Sequence, residues 1–145
     1  MCDSSFFLSP PQVCVFFLYM EESNISVIVI SPQSFECKRI DTASLLPFLQ
    51  TIVGGTITII PHEQGYDAPY VAYANDEGLL LNLPPNGLAT KTLAKLGFLD
   101  FQQEWGHPIF GSIVLLGQNE TSLNPTDQTL IKNILQKEIE SRTIK

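Results

Sequence analysis

Hydrophobic and polar positions divide the chain into short apolar runs bounded by turn residues, with two long helical patterns set among them. The first strong run, 25–30, is β-branched and almost wholly apolar, which predicts a central strand. Ser31-Pro32 turns the chain, and the mixed alternation of 35–40 predicts a second strand paired to the first as a hairpin. Asp41 or Thr42 can cap a helix through a side-chain oxygen. Leu45, Leu46, Phe48, Leu49, Ile52 and Val53 then form one core-facing stripe. Pro47 falls within the first turn, where its missing donor matters little, and Gly54-Gly55 ends the helix. A strand over 56–60 and a loop over 61–68 lead to the stretch around which the rest is arranged.

That stretch is 69–86. The run 69–74 is rich in β-formers, and Asn75-Asp76-Glu77-Gly78 follows it as a turn signal before Leu79-Leu80-Leu81. The pattern predicts a hairpin whose second strand ends by Leu83, because Pro84 and Pro85 cannot donate to a ladder. Asn86-Gly87 permits a reversal into a short helical pattern over 88–96. Residues 97–108 look irregular, 109–117 is an almost continuous apolar run expected to be one strand buried on both faces, and Asn124-Pro125 opens a helix over 126–142. Its apolar stripe is Leu130, Ile131, Ile134, Leu135 and Ile139.

Hairpins outnumber strand–helix–strand units in this order. The expected architecture is a single α+β domain with a largely antiparallel or mixed sheet of about six strands. Two main helices, about 42–53 and 126–142, are expected to cover one face. A length of 145 residues suits one domain with its own core. Residues 1–19 hold apolar runs split by Pro10-Pro11, without the basic start of a signal peptide and too short to span a bilayer. Met20-Glu21-Glu22-Ser23 resembles an ordinary cytosolic start. The folded domain is therefore expected over 20–145, with 1–19 an extension outside it; an intact Met1 species as the main product of the native gene would refute a start at Met20.

Charge and cysteine content narrow the function classes. The net charge of -7 argues against nonspecific nucleic-acid binding, which needs clustered Lys and Arg to neutralise phosphates. The acids are scattered, so mimicry of DNA would need them to line one ridge. Cys2, Cys14 and Cys37 have no metal-like spacing and leave one thiol unpaired in any intramolecular scheme, which favours a reducing, cytoplasmic setting. No membrane span, cofactor or metal is expected.

Candidate chemistry is sparse. His62 with Glu63, and His107 beside Trp105, are the two histidine sites, and neither shows ligand spacing such as two histidines one helical turn apart. Gly54-Gly55 precedes a strand rather than a helix N-terminus, so it lacks the geometry of a phosphate loop. A polar rim of Asn75, Asp76, Asn82 and Asn86 could bind a ligand, although turns recruit Asn and Asp for backbone reasons as well. Trp105 and His107, with Tyr66, Tyr70 and Tyr73, form the best aromatic candidate for a partner surface; packing beneath a long loop is the plainer explanation.

Three blocks together resemble the Domain of Unknown Function 3846 family: the helix end and glycine pair at 49–55, the segment from Asn75-Asp76-Glu77-Gly78 to Leu83-Pro84-Pro85-Asn86, and the run 109–117. The resemblance covers about 25–117, leaves the N-terminal extension and the C-terminal helix outside, and finds a longer connection over 97–108 than usual. It implies no catalytic residues. It does imply an accessory or host-interaction role, since such proteins are common in bacteriophages, large DNA viruses and mobile elements. A non-enzymatic binding module for a protein or small-molecule ligand is thus the leading expectation, in the host cytoplasm if viral. The alternative is a small hydrolase or nucleotide-handling enzyme in which His62 or His107 converges with carboxylates.

Overall fold

The computed structural model describes residues 24–118 and 121–143; the expected extension 1–19 and a start at Met20 lie outside them. The chain runs through β1 (Asn24–Ile30), β2 (Phe35–Asp41), α1 (Leu45–Val53), β3 (Ile57–Ile59), β4 (Tyr70–Asn75), β5 (Pro85–Asn86), α2 (Gly87–Lys95), α3 (Phe101–Trp105), β6 (Ile109–Phe110), β7 (Ile113–Gly117) and α4 (Pro125–Thr143). Five strands form one antiparallel sheet in the order β2-β1-β7-β4-β3, and β5 pairs with β6 in a separate two-stranded ladder. The α+β class holds, with the strands divided between two sheets and, among the described residues, four α-helices where two main helices and one short one were expected.

The central strands are apolar on both sides, and this sets the layering. Val27 and Val29 of β1, Tyr73 of β4 and Val114 and Leu116 of β7 pack with Leu45 and Leu49 of α1. Their neighbours in the strands, Ile28, Ile30, Ala72, Ala74, Ile113 and Leu115, pack with Leu88 and Leu93 of α2 and Ile131 and Leu135 of α4. The two long helices therefore lie on opposite faces, not on one as expected. The physical reason is that a strand buried on both faces needs cover on both.

Local signals are mostly obeyed. Asp41 accepts a hydrogen bond from the Ala43 amide (3.0 Å) and caps a 3-10 turn at Thr42–Ser44 ahead of α1. Gly54 ends α1 in the left-handed region (φ 85°), its amide bonded to the Gln50 carbonyl. Asn124 accepts from the Thr126 amide (2.8 Å) at the start of α4. Leu130, placed by its spacing in the buried stripe of α4, is instead 47% exposed. The outer strand β2 carries exposed Glu36, Cys37, Lys38 and Arg39, charges that discourage edge-to-edge pairing with other chains.

Two expected strands are remodelled. The run 109–117 breaks at Gly111-Ser112 into β6 and β7. Gly111 takes φ 84°, and a Cβ there would stand 2.8 Å from the Leu83 side chain, so the break depends on glycine. Leu79-Leu80-Leu81, expected as the return strand of a hairpin, forms turns instead. The Leu81 amide bonds to the Glu77 carbonyl (2.9 Å) and the Leu83 amide to the Gly78 carbonyl (3.1 Å), a helix-like coil rather than a ladder. The leucines of this coil are exposed, at 57%, 79% and 50%.

Candidate functional groove

The polar rim separates into two classes once folded. Asn86 is fully buried. Its side-chain oxygen accepts from the Ala89 amide (2.9 Å), capping α2, while its amide donates to the carbonyls of Ile30 (3.0 Å) and Gly111 (2.8 Å). Thr90 extends this network: its hydroxyl donates to the Asn86 carbonyl and accepts from the Ile109 amide, both at 2.8 Å. Asn86 is an architectural joint between β1, α2 and the link from β6 to β7. Asn75 is also buried; its amide donates to the Val53 carbonyl at the end of α1 (2.9 Å), and its oxygen accepts from the Glu77 amide (2.7 Å). Asn82 sits at φ 57°, the left-handed conformation that Asn tolerates in turns. Asp76 is exposed.

The coil that follows β4 faces the region around α3. Asp100 caps this short helix by accepting from the Gln103 amide (3.2 Å), and Gly106 ends it. The expected irregular connection thus contains one helical turn, which sets Phe101 and Trp105 four residues apart on one side with ring centroids 4.8 Å apart. His107 lies 6.0 Å from the Trp105 ring and 5.4 Å from Phe110. Because a carbonyl only accepts, the 2.8 Å contact between His107 Nδ1 and the Pro108 carbonyl places a proton on Nδ1. Between the coil and this aromatic wall runs a groove of about 280 Å³, lined by Asp76, Glu77, Leu79 and Leu80 from the coil and by Phe101, Trp105, His107 and Phe110 from the α3–β6 segment. Asn75 also lines it.

Four residues singled out in the sequence therefore meet here: Asn75, Asp76, Trp105 and His107. Asn82 and Asn86 do not line the groove. Of Tyr66 only the backbone, in the 3-10 turn Gly65–Asp67, is among the described residues. Tyr70 and Tyr73 are buried on opposite faces of the sheet, so the expected single aromatic cluster with Trp105 does not form. Phe101 and Phe110 join them in the groove, and the four-residue spacing from Phe101 to Trp105 is the helical signal that the sequence carries for the first of these.

A second cavity of about 350 Å³ opens beside β3, walled by Ile60, Ala68, Tyr70 and Phe98 with His62 at its margin. Burial, and secondarily the Asp127 carboxylate, push the Tyr70 hydroxyl above its usual range, so it stays protonated. His62 Nδ1 accepts from the Gln64 amide (3.0 Å), which leaves the proton on Nε2, where it is donated to the Leu96 carbonyl (2.8 Å). Both ring nitrogens are engaged by backbone, and the ring edge packs on Phe98 at 4.7 Å. His62 and His107 border different cavities. Among the described residues, no group of three or more His, Cys, Asp and Glu side chains could hold a metal ion, and no helix is long and apolar enough to cross a membrane.

A family model described as "Domain of unknown function (DUF3846)" matches residues 25–137. The chain belongs to that family. The match takes in both walls of the groove and extends into α4, so the C-terminal helix is largely within the family pattern rather than outside it. No curated protein and no solved structure matches the chain.

Proposed function

We propose that this protein is a non-enzymatic binding module and that the groove between the 76–82 coil and α3 receives its partner. The observation that carries this reading is the exposure of Trp105 (60%), Leu79 (57%) and Leu80 (79%) along one concave surface, with exposed Leu81 next to it in the chain. Large apolar side chains grouped on a surface mark interaction sites, and tryptophan is prominent among residues that dominate binding energy. The coil is anchored from beneath by Asn75, so its exposed leucines rest on an ordered base. The mobile-element and viral setting implied by the family resemblance favours a host protein as the partner; that support is by association.

The test is a pull-down from host extract with wild type, Trp105→Ala and His107→Ala compared at equal folded concentration. A partner held by wild type and lost by both variants supports the groove as the binding surface. Retention of every partner by both variants would overturn it. Absence of any partner, together with a metabolite or nucleotide that raises the melting temperature, would favour the enzyme alternative.

A further inference from the structure

We propose that the groove takes an arginine side chain presented by an aliphatic peptide segment of the partner; this rests on the groove being the binding surface argued above. The aromatic wall is continuous. Beyond the pairs already given, Phe101 and His107 have ring centroids 6.1 Å apart, so four rings form one surface. Asp76 and Glu77 line the same groove, both exposed, and neither makes an ion pair with another described residue. Among the described residues, no lysine or arginine lines the groove. The whole chain carries a net charge of -7, which favours the approach of a cationic partner.

Rings and carboxylates lining one groove suit a guanidinium better than other cations. Its plane stacks on an aromatic face while its edge presents a fork of N–H donors to a carboxylate. An ammonium would act only as a point charge. A free small cation would leave Leu79, Leu80 and the outer face of Trp105 uncovered, whereas aliphatic residues on either side of an arginine would cover them. Charge thus selects the central residue of the ligand, and the leucines select its neighbours.

The probe is a library of short random peptides displayed on phage and panned against the immobilised full chain, with Trp105→Ala as the subtractive control. The expected consensus is arginine flanked by aliphatic residues. The consensus peptide is then titrated while following the emission of Trp105, the single tryptophan of the chain. Asp76→Asn with Glu77→Gln is expected to weaken it about tenfold, as is replacing its arginine by norleucine. Circular dichroism of the double variant should match wild type, since both carboxylates are exposed.

A consensus without a basic residue, or equal affinity for the norleucine peptide, would overturn the arginine proposal while leaving the groove as a binding surface. A lysine consensus in which arginine binds no better would overturn the guanidinium assignment. No enrichment over the control would also overturn it, and the pull-down would then decide separately whether the groove binds anything.

Discussion

Asn86 and Asp76 lie in the same turn-rich stretch and belong to the same class of turn-forming residue, yet the fold uses them in opposite ways. Asn86 is sealed inside and holds three backbone groups. Asp76 is on the surface at the edge of a groove, where its carboxylate is open to solvent or a partner. The difference is one of position relative to the sheet. An amide side chain at the junction of three elements is recruited to satisfy backbone groups that water cannot reach, while the carboxylate of Asp76, earlier in the same stretch, stays on the surface.

Substitutions should pull these two regions apart. Asn86→Ala removes the cap of α2 and strips a donor from two buried carbonyls, so a loss of about 3 kcal/mol is expected in urea unfolding. A loss near zero would mean that the joint is not structural. Asn75→Ala leaves the Val53 carbonyl without its side-chain donor and releases the base of the coil, with an expected cost of about 1–2 kcal/mol. Because Asn75 also lines the groove, this variant should weaken partner binding as well, which makes it the one substitution that links the two regions.

The Tyr70 hydroxyl supplies a pH-dependent contrast. Its folded value is raised above the usual 10.0, so folding favours the protonated form. That contribution is fully present below pH 10.0 and is lost as pH rises through the folded value. Tyr70→Phe should flatten the alkaline part of the stability profile; an unchanged slope there would show that other groups govern it. The smallest stability effect belongs to the groove. Trp105→Ala, at an exposed site, is expected within about 0.5 kcal/mol of wild type while abolishing partner capture. A large loss of stability with capture retained would place Trp105 in the architecture instead.

Much of the fold was legible because its signals are local. The β-branched run of β1, the proline and glycine bounds of α1, and the Asn124-Pro125 start of α4 each act through backbone geometry within a few residues. The misreadings share a cause. Leu79-Leu80-Leu81 has the composition of a strand but closes into turns, since its leucines gain no partner strand and Gly78 is packed against Phe110. The run 109–117 is almost continuously apolar, yet Gly111-Ser112 divides it where Leu83 crosses closely. In both cases a remote contact overrode the composition.

The candidate groove was half visible. Trp105, His107, Asn75 and Asp76 were identifiable by residue type, but nothing in their spacing tied the two segments together. Glu77, Phe101 and Phe110 were passed over because each looks ordinary alone.

By itself the sequence determined the α+β class, the hairpin of β1 and β2, the Asn124 cap of α4 and the acidic charge that disfavours phosphate backbones. Those properties follow from backbone propensity, hydrophobic period and summed charge, all of which are local or additive. Only the tertiary structure decided that α1 and α4 cover opposite faces, that Asn86 is a joint while Asp76 is surface, and that the coil after β4 and the turn at α3 enclose one groove. Each of these depends on which distant segments share space, and burial then decides whether a turn-forming polar residue supports the backbone or stays on the surface.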